Sequence, residues 1–146
     1  MWFSRKQVEK VSPGVVQPNT KTTTKKRGDA AEALALAYLF DVGLRLIERN
    51  YRTPGRGGGE IDLIMRDKDG TLVFIEVRQR SSHSHGGAGA SIGATKQRRI
   101  IFAARYYLMR LASAPPCRFD VVLVQGGSDA VQAASIEWLR SAFDAS

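Results

Sequence analysis

Residues 60–78 read EIDLIMRDKDGTLVFIEVR, and this stretch decides the fold. Two arms rich in Ile, Leu, Val and Phe, Glu60–Asp67 and Thr71–Arg78, flank Asp67-Lys68-Asp69-Gly70. Asp at the first position and Gly at the fourth suit a type I turn, and Gly70 can take the left-handed conformation that closes a three-residue hairpin loop. In that register Asp67 pairs with Thr71, Asp62 lies opposite Glu76, and Glu60 lies opposite Arg78. One face then carries Ile61, Leu63, Met65, Val73, Ile75 and Val77. The other carries Ile64, Leu72 and Phe74 in its middle, with Glu60, Asp62, Glu76 and Arg78 at the end away from the turn. A slip of one residue would put Glu76 on the face opposite Asp62 and set apolar side chains against polar ones. The stretch therefore reads as a central, two-sided hairpin with acids gathered at one end.

That placement is costly. Directly opposed side chains have Cβ atoms roughly 4.5–5.5 Å apart, and like charges there repel. Beside Ile64 and Phe74 the dielectric is low, so water does not quench the repulsion. A shared proton, a cationic side chain or a divalent cation would relieve it. Mg2+, with oxygen ligands at about 2.0–2.1 Å and a preference for one or two carboxylates, fits the spacing best. The plainer alternative is a charged cluster closed by Arg78 and Arg80 with no metal.

A third acid lies upstream. Gly28–Asp41 is helical in pattern, and from Ala30 to Phe40 its only charged residue is Glu32. At helical spacing Glu32 shares a face with Ala35, Leu36 and Leu39. A lone acid among apolar neighbours is costly unless paired or coordinated. Interaction with the amide dipole at the helix start is the alternative, and it suits Asp29 better. Gly28, one turn earlier, leaves room for close approach to the backbone.

A helix acid, an Asp on one strand and Glu-x-(basic) on the next is the order of the PD-(D/E)xK nucleases. Gly28…Glu32-Ala33, Arg49-Asn50-Tyr51-Arg52, Gly59-Glu60-Ile61-Asp62-Leu63-Ile64, Val73-Phe74-Ile75-Glu76-Val77-Arg78-Gln79-Arg80, Lys96-Gln97-Arg98 and Arg118-Phe119-Asp120-Val121-Val122 together resemble the YraN-type family of predicted endonucleases. That family is similar to archaeal Holliday junction resolvases, and the resemblance spans about residues 27–125. It implies a restriction-endonuclease-like fold and a Mg2+-dependent (or Mn2+-dependent) phosphodiesterase site with Glu32, Asp62 and Glu76 as metal ligands. Residue 78 would stand in the place of the superfamily's lysine. It is Arg here, which cannot exchange protons near neutrality but can still steady a pentavalent phosphorane.

The formal net charge of +8 is unevenly spread: Arg5, Lys6, Lys10, Lys21, Lys25, Lys26 and Arg27 against Glu9 put +6 of it in residues 1–27. That arm has Pro13, Pro18 and no clear periodicity. It reads as a flexible basic N-terminal tail able to track phosphates, or as a solubilising extension, with residues 28–146 forming a single domain. A hydrophobic content of 43% over 146 residues suffices for a core. No run approaches about 20 apolar residues and no apolar signal core follows the first charges, so a cytoplasmic protein with no membrane partner is expected. The single Cys117 excludes an intramolecular disulfide framework, and a core thiol is expected there.

A second helix is expected over about Thr95–Ala112, with Ile100, Ala103, Ala104, Tyr107, Leu108 and Leu111 facing the sheet. Lys96, Arg98 and Arg99 crowd its first turn, where the dipole disfavours cations unless a phosphate docks on the amides. A solvated basic turn is the alternative. With Arg80 these cations are the candidate nucleic-acid contacts, and Lys96 could supply the mobile ammonium that Arg78 lacks. Ser81–Ser91 is a Gly- and Ser-rich loop able to order on substrate. Its His83 and His85 lack the further ligands of a zinc site.

Leu44–Arg52 and Arg118–Val124 read as strands, with Arg118 and Asp120 salt-bridged rather than catalytic. Gln125–Ala130 reads as a loop and Ile136–Phe143 as a short terminal helix. The result is an α/β fold: a mixed central sheet with an antiparallel hairpin, flanked by helices. The expected function is a divalent-metal-dependent nuclease acting on DNA, of the branched or damaged kind, with a homodimer open to it. A non-catalytic nucleic-acid-binding module on the same scaffold is the alternative, and a protein-interaction domain with structural acids a third.

Overall fold

The computed structural model describes residues 20–80, 92–126 and 135–145. Among them seven elements follow one another: α1 (Thr20–Asp41), β1 (Arg45–Arg52), β2 (Glu60–Arg66), β3 (Leu72–Arg80), α2 (Ala94–Leu108), β4 (Cys117–Gln125) and β5 (Ser135–Phe143). The strands form one sheet in the order β1-β2-β3-β4-β5. β3 and β4 are parallel and the other neighbours antiparallel, so the sheet is mixed and α2 is the crossover that a parallel pair requires. Two helices flanking a five-stranded mixed sheet match the expected α/β class and are consistent with a restriction-endonuclease-like fold.

From Arg66↔Leu72 through Met65↔Val73 and Ile64↔Phe74 to Leu63↔Ile75 the hairpin register is the expected one, but the ladder stops short of the expected Asp62–Glu76 and Glu60–Arg78 pairs, and Glu60 pairs with Arg52 of β1 instead. Asp67 donates its N–H to the Thr71 carbonyl (2.9 Å), Gly70 donates to Asp67 (3.0 Å), and Gly70 has φ 91°. The Asp69 side chain accepts the Thr71 N–H and completes the turn.

Each face of the sheet buries one helix. Ala31, Ala35 and Leu39 of α1 pack on Leu63, Met65, Val73, Ile75, Val122 and Val124. Ile100, Ala103, Ala104 and Tyr107 of α2 pack on Ile64, Leu72, Phe74 and Phe119. Each large side chain removed from water contributes roughly 1.5–3 kcal/mol, so this double burial holds the layers together.

Four other expectations change. α1 begins at Thr20, not Gly28, and therefore takes in the last residues of the basic arm. Periodicity missed them because no apolar stripe runs through Thr20–Arg27. Ile136–Phe143 is not a helix but most of β5. Ile136 and Trp138 pack on the α1 side while Leu139 and Phe143 pack on the other, so the three-residue step from Ile136 to Leu139 crosses the sheet. Antiparallel pairing with β4 covers its otherwise open edge, and the Trp138 indole donates to Asp120 (2.9 Å). Cys117 is exposed, not core, because it is the first residue of β4, with its thiol against the Pro115 carbonyl. Finally, Ile61 joins Tyr51 and Ile100 on the α2 side instead of following Leu63 and Met65. His83, His85 and most of the proposed Gln125–Ala130 loop lie outside the described residues.

Candidate active site

The change of face at Ile61 has a local cause. In the hairpin register Val77 would give its N–H to Ile61, but it donates to the Asp62 carboxylate instead (2.8 Å). The β2–β3 ladder accordingly ends at Leu63↔Ile75, and Asp62 stands where the two strands part. On the other side of β2, Arg49↔Leu63 and Tyr51↔Ile61 bracket Asn50 opposite Asp62, and Asn50 has φ 52°. A left-handed residue inside a strand is sparsely populated, and Asn tolerates it better than most. Asn50, Asp62 and Glu76 thus form a row across three strands at the end of the sheet away from the hairpin turn.

The electrostatics of this row are strained. The Asp62 and Glu76 carboxyl groups lie within hydrogen-bonding reach of each other. Burial, then the Asp62 charge, pushes the Glu76 carboxyl up to about 7 against the pull of Lys96. Burial also raises Asp62, opposed by the Val77 N–H. Glu32 of α1 is raised to about 7 by burial first and by Asp62 second, with Arg49 acting the other way. Its Oε1 is buried without a hydrogen-bond partner among the described residues. Two arms of the molecule therefore present acids to one another, and all three hold protons more tightly than usual.

Cations stand close by. Lys96 Nζ of α2 is 3.4 Å from Glu76 Oε2. It also lines a cleft of about 330 Å3 formed with Arg52, Arg99, Glu60 and the glycine-rich loop 53–59. That loop is pinned at its base. Thr53 and Gly59 exchange a backbone bond (Thr53 N to Gly59 O, 3.2 Å), and the Thr53 hydroxyl accepts the Gly59 N–H (3.0 Å). A Cβ at Gly59 would collide with the Arg99 carbonyl of α2, so this glycine lets loop and helix meet. A second cleft, of about 650 Å3, is lined by Gly28, Asp29, Glu32, Asn50, Arg52 and Glu60. Glu60 and Arg52, ion-paired at 3.6 Å, border both clefts.

Asp62 thus stands beside Glu76, Lys96 reaches Glu76 from α2, and the Asp62 charge acts on Glu32. Among the described residues no group of three acid, His or Cys side chains closes around a point as a ready-made metal cage. The donor chemistry suits Mg2+ nonetheless, since that ion is usually held by one or two carboxylates and completes its shell with water and phosphate oxygens. Arg78 follows Glu76 on β3, beside Leu123 of β4, half-buried and engaged with its surroundings. Arg80 is largely covered and paired with Glu137 of β5 at 3.2 Å. Arg98 is exposed and donates to the Thr95 hydroxyl (3.2 Å), and Arg99 is exposed on the cleft rim.

Sequence reasoning missed Asn50, Arg52 and loop 53–59 as parts of the site. The legible signal was the run Gly57-Gly58-Gly59 immediately before the acidic strand, where a hairpin needs no such flexibility. Asp120 takes no part in the site. It is fully buried and held by Arg118 (3.1 Å), the Trp138 indole and the Ser141 N–H, as a structural salt bridge should be.

Comparison with known proteins places the chain among close relatives. The family model described as "Uncharacterised protein family UPF0102" matches residues 31–124. A "UPF0102 protein" of Polaromonas naphthalenivorans is 69% identical over the whole of both chains. One from Polaromonas sp. strain JS666 is 65% identical, again over the whole of both. One from Paracidovorax citrulli is 64% identical, covering 94% of this chain and 97% of its own.

Proposed function

The chain belongs to the UPF0102 family, and from that premise we propose that it is a divalent-metal-dependent nuclease that hydrolyses phosphodiester bonds of DNA. The observation that supports this reading best is the Asp62–Glu76 carboxyl pair beside the cation-lined cleft, with the partnerless Glu32 Oε1 nearby. Asp62 and Glu76 would hold Mg2+ or Mn2+, with Glu32 completing the acidic lining. Such an ion, when bound, makes water a nucleophile at neutral pH and screens the scissile phosphate.

The protein's own groups supply the remainder. Lys96, an ammonium on an exposed helix turn, swings between Glu76 and a phosphate oxygen in the cleft. Arg78 stabilises the negative charge that develops on the phosphorane. Arg52 and Arg99 hold the backbone without reading bases.

Asp62→Asn should abolish Mn2+-dependent cleavage of a panel of branched, nicked and linear DNA and RNA, while binding in EDTA persists. An unchanged rate would remove the assignment. One observation favours a second reading, a non-catalytic nucleic-acid-binding module: the Glu76–Lys96 ion pair already satisfies part of the acid cluster without any ion. That module would bind DNA in a salt-sensitive way with no divalent ion, and Glu76→Gln would leave binding intact.

A further inference from the structure

The surface of α2 that faces away from the sheet is unusual. Its buried side is Ile100, Ala103, Ala104 and Tyr107. On the opposite side Arg98, Phe102, Arg105 and Met109 recur at steps of four, three and four, with Tyr106 one turn beyond Phe102. Phe102 is 53% exposed, Tyr106 39% and Met109 79%. A helix of this kind ordinarily turns charged and polar groups to water, not two aromatic rings and a thioether.

We propose that this face of α2 is a stacking platform for the unpaired bases of a single-stranded nucleic-acid segment whose backbone enters the candidate active site. The arrangement is one aromatic or soft apolar group alternating with one guanidinium, the pairing that single-strand binding uses: rings for bases, cations for phosphates. Charge complementarity selects the occupant, because Arg98 and Arg105 flank the rings and Arg99 leads into the cleft. Among the described residues neither flanking cation forms an ion pair with an acid: Arg98 bonds the Thr95 hydroxyl and Arg105 the Ala145 carbonyl. Continuity supports it too. Arg99, which lines the cleft, lies one turn before Phe102 and two turns before Tyr106 along the same flank of the helix. The platform therefore begins where the site ends, and the preferred substrate is DNA or RNA carrying an unpaired stretch beside the cleavage point.

This inference rests on the nucleic-acid reading of the site, and its test separates the two. The full-length protein is titrated in EDTA, by fluorescence anisotropy, with a flush duplex and with the same duplex bearing a short single-stranded overhang. A third probe has the overhang's bases removed and its sugar-phosphate retained. The wild type should prefer the intact overhang by about tenfold over both other probes, the loss typical of a missing base stack. Phe102→Ala and Met109→Ala should erase that preference with flush-duplex binding unchanged, and Phe102→Tyr should keep it. Asp62→Asn should lose cleavage and keep the preference, so a failed nuclease reading leaves this one standing. Equal affinity of wild type for intact and abasic overhangs would overturn the proposal. So would wild-type overhang binding by Phe102→Ala, or a protein dimer that Phe102→Ala dissolves.

Discussion

Asp62 accepts an N–H that belongs, by register, to a backbone carbonyl, and this one bond opens the end of the hairpin. Asp62→Asn retains an acceptor for Val77 and removes the repulsion with Glu76, so its melting temperature should equal or exceed the wild type. Asp62→Ala leaves the Val77 N–H unpartnered and should lower stability by about 1–3 kcal/mol. Denaturant titration of the two variants checks the ordering. Asp120 makes the opposite case, an acid buried for structure. Asp120→Ala leaves the Arg118 guanidinium, only 12% exposed, with Asp67 alone, and a cost of about 3–5 kcal/mol is expected by chemical denaturation. The sequence could separate these two acids because Asp120 had an Arg two residues away on its own strand face, whereas Asp62 had only another acid opposite.

At the scale of elements, the approach of loop 53–59 to α2 sets where Lys96 stands. Gly59→Ala would push a Cβ into the Arg99 carbonyl and displace the helix start. A loss of roughly 1–3 kcal/mol is expected, together with a change in the Lys96 environment that amine-selective NMR would register. Core elements were legible because their apolar periods are long and consistent: the α1 and α2 stripes and, Ile61 apart, both hairpin arms fall where two-residue and helical repeats put them. β5 was not legible. Ile136, Leu139 and Phe143 fit a helical stripe on paper, and only the unpaired β4 edge decides for a strand. The left-handed Asn50 was equally hidden, since a φ of 52° leaves no mark in the residue types around it.

For the whole molecule, the acid cluster couples folding to protons and, under the proposed function, would couple it to divalent ions. Glu32 and Glu76 are raised from the ordinary glutamate range to about 7, so the folded chain keeps protons that the unfolded chain has released. Stability from these groups is therefore present at low pH, falls as pH rises from about 4.5 through 7, and stays low above it. Thermal unfolding across that window should show the fall, and Glu76→Gln should flatten it. Mg2+ or Mn2+ that replaces the protons should raise the melting temperature at pH 8 and have little effect at pH 5. No helix of the described residues is long and apolar enough to span a membrane.

Local pattern by itself determined the hairpin, its register, the helices on either face and the three acids that had no partner along the chain. These are short-range matters, set by side-chain period and by the cost of burying charge. Only the tertiary structure decided that Asp62 would divide the strands, that Lys96 would reach Glu76 from another layer, and that a glycine loop would close a cleft beside them. Those contacts join residues far apart in sequence, and their geometry depends on how layers seat against one another, which no one-dimensional spacing encodes.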